Sequence, residues 1–220
     1  MYPSPLKRIA VFYDGSFFTN VSRYYRYKHA RQANISFTGL HNFIRQKVAG
    51  FEANGQVEMC QIVESHFFRG RFSLKSVNAL ADPTKQLETD RFYDQLLMRA
   101  GIITHFFPMN ENVSPPEEKG IDVWLALEAF DLAMHKQYDV IVLFAGDQDF
   151  VPLVRKINSI GTRVMLMSVN ITTDLLGNKL PRSIYCSGKL LDEASYVVRL
   201  DDEIDSVTES HNQAVDELFI

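Results

Sequence analysis

Apolar residues along this chain fall into short, near-continuous runs, and between the runs they recur at helical spacing. Ile9–Tyr13 is an apolar and aromatic run that stops at "DGS", which predicts a buried strand and a tight turn. A helix or loop is expected from Ser16 to about Arg31, and a helix over Phe37–Phe51. Gln56–Phe68 is rich in β-formers and predicts a second strand, leading into an "RGRFSLKS" loop. Pro83–Arg99 predicts a helix with Phe92, Leu96 and Leu97 on its apolar stripe, closed by Gly101 ahead of a third strand, "IITHFF". The polar, proline-containing "NENVSPPEEKG" at 110–120 predicts an exposed loop. After it, "IDVWLALEAFDLAMHK" is apolar nearly all round, which predicts a helix packed into the body of the protein. "DVIVLFAG" is the clearest strand, and "FVPLVRKINSIG" reads as a helix ending at Gly161. "TRVMLM" is a fifth strand, and "SGKLLDEASYVVRL" a last helix or short strand.

Apolar strands alternating with helical segments indicate a parallel sheet covered on both faces. The expected fold class is α/β, a single three-layer α/β/α domain over residues 1–200. With 220 residues and 46% apolar content the chain is long enough to bury a sizeable core. No apolar run approaches the ~20 residues of a membrane span. The N-terminus carries no apolar signal core with a small-residue cleavage site. Cys60 and Cys186 stand apart from each other and from any metal-spaced His, which favours reduced thiols and a cytoplasmic protein.

Charge changes the picture only when it is divided along the chain. The formal net charge is −4, yet residues 201–220 hold seven acids and no Lys or Arg. The first 200 residues therefore carry 20 acids against 23 bases, a mildly basic body before an acidic C-terminal tail. That body has room for a polyanionic partner without requiring one.

The acids that matter fall at strand ends. In open parallel sheets ligands sit beyond the carboxyl ends of the strands, near the switch point in strand order. Asp14 directly follows the first strand and Asp147 lies just beyond the fourth. If those strands are adjacent, at ~4.8 Å spacing, their carboxylates converge on one cation. Asp149 occupies the same turn as Asp147, and Asp122 opens the apolar helix straight after Gly120. Crowded carboxylates repel without a counter-ion. A hard divalent cation relieves that repulsion, acidifies a water and stabilises a phosphoryl transition state. The chemistry implied is phosphodiester hydrolysis. Each acid also has an ordinary structural explanation: Asp147 or Asp149 as a helix cap, Asp122 at the positive end of its helix, and Asp14 as a turn residue. Spacing alone leaves both readings open.

Three segments resemble, in order, one known family. "VFYDGSFF" at 11–18 looks like the hydrophobic–Asp–Gly opening of NYN domains, members of the PIN-like nuclease superfamily. "KGIDVWLALEAF" at 119–130 is similar to that family's Lys–Gly–hydrophobic–Asp helix start. "VIVLFAGDQDFVPLVRKINSIGTRVML" at 140–166 resembles its strand, Gly-Asp-x-Asp-Phe turn and Pro-Leu helix, and "SGKLLDEASYVVRL" its closing segment. The resemblance implies a five-stranded parallel sheet of PIN-like order 3-2-1-4-5, with strands one and four side by side. It implies a Mg²⁺- or Mn²⁺-dependent endoribonuclease with Asp14, Asp122, Asp147 and Asp149 as the acidic site. Asp14 and Asp147 would be direct ligands, with Asp122 and Asp149 completing the site or positioning the attacking water. Lys119 would meet a phosphate. The chain departs from the family at Phe17, where Asn is usual and where Ser16 or Asn20 could substitute in part. It departs again at Ser195, where Asp is usual. Those departures carry the alternative reading, a catalytically weakened RNA-binding or regulatory module. A phosphatase of the Asp-x-Asp type is set aside, because Ser16 stands where its second Asp would be.

Two basic, aromatic stretches are candidate contacts to single-stranded or structured RNA. "SRYYRYKHAR" interleaves Arg23, Arg26, Lys28 and Arg31 with three tyrosines and, following the first strand, is expected near the same edge as Asp14; "FFRGRFSLK" carries Arg69, Arg71 and Lys75 after the second strand. Cations meet phosphates and aromatic faces accept unstacked bases. Tyrosines packed inward on an amphipathic surface are the competing explanation. The acidic tail reads most simply as a solvated extension. Alternatively Ile204, Val207, Val215, Leu218 and Phe219 dock it on its own body or on a second subunit, as in a homodimer.

Overall fold

A computed structural model describes residues 6–78, 82–113, 116–172, 183–206 and 213–220. Strand β1 (Lys7–Asp14) leads into helices α1 (Gly15–Tyr27) and α2 (Phe37–Glu52). β2 (Cys60–Arg71) is followed by the short α3 (Leu74–Asn78), α4 (Pro83–Arg99) and β3 (Ile103–Pro108). Then come α5 (Ile121–Lys136), β4 (Val140–Phe144), α6 (Val151–Ser159) and β5 (Arg163–Ser168). A small hairpin pairs β6 (Asn170–Thr172) with β7 (Ser183–Tyr185). The chain ends with α7 (Gly188–Glu193), β8 (Tyr196–Arg199), α8 (Leu200–Asp205) and α9 (Gln213–Asp216).

Local chemistry accounts for the boundaries. Side chains cap the long helices that open on polar residues: Asp14 for α1, Ser36 for α2 and Asp82, just ahead of Pro83, for α4. The main sheet runs β3-β2-β1-β4-β5-β8, and every neighbouring pair is parallel. The expected order 3-2-1-4-5 holds, but the sheet has six strands rather than five. The segment read as a last helix or short strand makes both, and its four-residue "YVVR" adds β8 beside β5. The "RGRFSLKS" stretch likewise divides between the end of β2 and α3 instead of forming a loop.

Alternation along β1 builds the layers. Ile9, Val11 and Tyr13 pack in one core with α1, α2 and the C-terminal helices, while Ala10 and Phe12 join a second core under α5 and α6. Helix α5 departs from expectation. It buries Ile121, Leu125, Ala129 and Ala133, but leaves Val123, Leu127 and Met134 exposed. A helix in an outer layer meets the sheet with one stripe only, whatever the hydrophobicity of its other faces.

The described part of residues 201–220 is packed on the body. Ile204, Val215 and Leu218 are buried, and Phe219 bridges antiparallel to Ile35. Asp205 pairs with His29 at 3.0 Å and Asp216 with Arg31 at 3.0 Å. Val207 lies outside the described residues. Leu218→Ala is therefore expected to cost about 2–5 kcal/mol, read as a lower urea midpoint. An unchanged midpoint would contradict the packing.

Candidate active site at the carboxyl edge

Both sides of the site are strand ends. Asp14 is the last residue of β1, opposite Phe68 of β2, and its predecessor Tyr13 pairs with Phe144 at the end of β4. The chain then leaves β4 through Ala145 and Gly146 to Asp147. Asp14 is 8% exposed, and its Oδ1 accepts from Ser16 N at 3.0 Å, Ser16 Oγ at 2.9 Å and Phe17 N at 3.2 Å. It thus caps α1 while standing at the sheet edge. Asp147 Oδ1 accepts from Asp149 N at 2.9 Å, so Asp147, like Asp14, caps the turn that follows it while standing at the sheet edge. Asp147 and Asp149 are exposed, as is Asp122 in the first turn of α5.

Electrostatics ties the acids together. Although Asp122 is exposed as a residue, protein around its carboxyl partly desolvates it and pushes it up to about 6, and the negative charges of Asp14, Asp147 and Asp149 add to the rise. For Asp14, burial raises the carboxyl above its ordinary range, donors from Phe17 and Ser16 oppose that, and Glu118 raises it further. The edge therefore holds five acids that feel one another, Glu118 among them. Glu118 accepts from Gly70 N at 2.7 Å, joining the 110–120 loop to β2. The loop's polar composition predicted exposure and concealed this residue; its position just before "KGID" was the available signal.

A raised carboxyl has a definite consequence for stability. The folded chain holds the Asp122 proton more tightly than the unfolded chain between its ordinary 3.8 and about 6, so stability falls as pH rises through that window. Without divalent ions, Asp122→Asn is expected to gain thermal unfolding midpoint relative to the wild type as pH rises across that window. An Asp122→Asn protein with the wild-type slope would contradict the coupling.

Among the described residues no group of three or more His, Cys, Asp or Glu side chains is placed to hold a metal ion as it stands. The donor chemistry nonetheless fits a hard cation. These acids are all oxygen donors, their mutual repulsion makes a counter-charge favourable, and Mg²⁺ keeps several waters instead of demanding a full protein shell.

The remaining predicted residues divide. Asp14, Ser16, Phe17, Asn20, Gly146, Asp147, Gln148, Tyr185 and Ser187 line a cleft of about 460 Å³. Phe17 lines the same cleft as Asp14 and Asp147, an apolar ring where the family usually has a polar group. Its ring lies 5.7 Å from that of Phe144, and an added Cβ on Gly146 would be 2.6 Å from it. Ser195 sits at the opposite end of the sheet, accepting from Val164 N at 3.1 Å and donating to Asn158 at 2.9 Å. It lies away from the acidic edge, so a serine at this position removes no polar group from beside Asp14 and Asp147.

The basic stretches are only partly at this edge. Arg69 and Arg71 end β2 beside the site, but they pair with Asp90 at 3.9 Å and Asp94 at 2.5 Å. Arg71 also lies 3.5 Å over Phe106. Lys75 and Lys119 are exposed. On α1, Tyr25 is buried and Tyr24 half-buried, so inward packing accounts for much of that stretch. Arg23, Arg26 and Lys28 are exposed, but at 1.5 Å per helical residue Arg23 is about 13 Å and Lys28 about 21 Å along the axis from Asp14. Arg31 is held by Asp216. The expectation that this whole stretch lies beside Asp14 is corrected by the length of the helix.

Comparison with known proteins agrees with the fold. No curated protein matched. A solved structure of a protein of unknown function, VPA0982 from Vibrio parahaemolyticus, is similar with a TM-score of 0.56 at 20% identity, covering 92% of this chain and 98% of that one. That likeness concerns the fold alone. The NYN domain model matches residues 8–187, which span every acid of the edge. By that match the chain belongs to the NYN domain family, within the PIN-like superfamily.

Proposed function

We propose that this protein is a metal-dependent endoribonuclease that hydrolyses RNA phosphodiester bonds at the acidic edge, using Mg²⁺ or Mn²⁺. The observation that carries the reading is the electrostatic coupling of Asp122 to Asp14, Asp147 and Asp149 at the β1–β4 switch point. Family membership supports the nuclease fold, and the single-stranded or structured RNA substrate and the cytoplasmic location are part of the proposal. Two buried, unpaired thiols, Cys60 and Cys186, accord with a reducing compartment.

The roles follow from placement. Asp14 is anchored by the first turn of α1, so its carboxylate is held in place before any ligand arrives. Asp147 faces the same cleft from the β4 side, and Asp14 and Asp147 would hold the cation. Asp122 and Asp149 would complete its shell or accept the proton of the attacking water. A divalent cation bound here supplies acidity to a coordinated water and charge to the phosphoryl transition state. Lys119, exposed beside Gly120, would meet a phosphate of the substrate.

The test is cleavage of an end-labelled single-stranded RNA with Mg²⁺, with Mn²⁺ and with chelator. Internal cleavage that needs the metal and is lost in Asp147→Asn is expected. Cleavage that survives Asp147→Asn would place the activity elsewhere. Binding without any cleavage would favour the RNA-binding module, for which the apolar Phe17 at the cleft wall is the specific observation.

A further inference from the structure

The acidic edge uses only one side of its cleft. Phe17 from α1 and Tyr185 from β7 line the same cleft as Asp14 and Asp147, and both close on Gly146. An added Cβ on Gly146 would stand 2.6 Å from Phe17 Cε2 and 2.6 Å from the Tyr185 carbonyl oxygen, so bare backbone forms the floor between them. Phe17 is half-buried and steadied by Phe144, with its ring centroid 5.7 Å from that ring. Tyr185 is 59% exposed, although its strand neighbour Ile184 is buried. Asn20, Gln148 and Ser187 add hydrogen-bonding groups to the lining.

Aromatic rings neither ligate a hard cation nor attract phosphate. They do present flat apolar faces, and a nucleobase is the part of an RNA chain with a matching face. A cleft lined by Phe17 and the exposed Tyr185 together with carboxylates suits a nucleotide whose base stacks while its phosphodiester meets the acids. We propose that Phe17 and Tyr185 form a base-stacking subsite that seats an unpaired nucleobase beside the acidic edge, selecting single-stranded over duplex RNA. The inference rests on the RNA-cleaving reading of that edge. In a duplex the bases stay stacked and paired, whereas single strands can splay a base onto an aromatic side chain.

The test is fluorescence anisotropy with a labelled single-stranded RNA octamer, an abasic ribose-phosphate strand of equal length, and an RNA duplex. All measurements use an Asp147→Asn background, so that the strands survive. The single strand is expected to bind more tightly than the duplex. Tyr185→Ala is expected to weaken the intact single strand by roughly tenfold, the scale of losing one base–aromatic stack, and to leave the abasic strand unchanged. Tyr185→Phe keeps the flat face and is expected to bind like the parent. Phe17→Leu keeps the apolar contact with Phe144 and is expected to lose intact-strand affinity. If both Tyr185→Ala and Phe17→Leu bind the intact strand like the parent, the subsite is overturned while the nuclease reading stands. Equal losses for intact and abasic strands also overturn it. Absence of RNA binding by the parent overturns both.

Discussion

Asp14→Asn is expected to reduce RNA cleavage by about a thousandfold while leaving the protein at least as stable as the wild type. The two effects separate because Asp14 has two tasks. As a cap its Oδ1 accepts from Ser16 and Phe17, and an asparagine carbonyl oxygen accepts those bonds equally well. As an anion it is costly, since burial raises its carboxyl and Glu118 repels it. The asparagine removes that cost in metal-free protein and removes the charge a cation needs. Asp14→Ala is expected to lose activity similarly and to lose about 0.5–2 kcal/mol of stability as well, through the missing cap. Urea midpoints in chelator, beside cleavage rates in Mg²⁺, check both. An Asp14→Asn protein that is inactive only because it is unfolded would contradict this division of tasks.

Gly15→Ala is the second large effect. In an exposed helix alanine is better than glycine by about 1 kcal/mol, and Gly50 in α2, with open space around it, is expected to show that gain. At Gly15 the added Cβ would run into the Phe68 carbonyl oxygen and stand 2.6 Å from the Phe67 ring. Overpacking costs typically about 1–3 kcal/mol, and the backbone carbonyl cannot rotate away as a side chain can. The expected net result is a loss of about 2 kcal/mol, the upper part of that range less the helix-propensity gain, with α1 displaced from β2. Since α1 carries Ser16 and Phe17, activity falls with it. Equal stabilisation by Gly15→Ala and Gly50→Ala would contradict the close approach of α1 to β2.

The same residues show what is legible in a sequence of this kind. β1 and β4 announce themselves because strands buried on both faces read as unbroken apolar runs, and the acids at their ends follow directly. Asp14, Asp147 and Asp149 were found that way and Asp122 at the start of its apolar helix, and their charges act on one another at one edge. Glu118 was not, because its hydrogen bond to Gly70 joins positions 48 residues apart and no local pattern encodes that contact. Tyr185 was missed for the same reason: its exposure beside the acids depends on the β6–β7 hairpin. The exposed face of α5 escaped because hydrophobicity reports what a residue prefers, while layer position decides what it meets. The far end of α1 was misplaced because adjacency in sequence was taken for adjacency in space across four helical turns. Ser195 was given a bearing on the site that its motif position alone could not support, because β8 fixes it at the other end of the sheet.

The account stands on the acids of the carboxyl edge acting together as one divalent-cation site. Titration of the metal-free protein with Mn²⁺, followed by the loss of the free-ion paramagnetic resonance signal, measures this with no RNA present. Saturable binding is predicted for the wild type, weakened in Asp122→Asn and abolished in the Asp14→Asn/Asp147→Asn double variant. Binding of undiminished affinity in that double variant would contradict it.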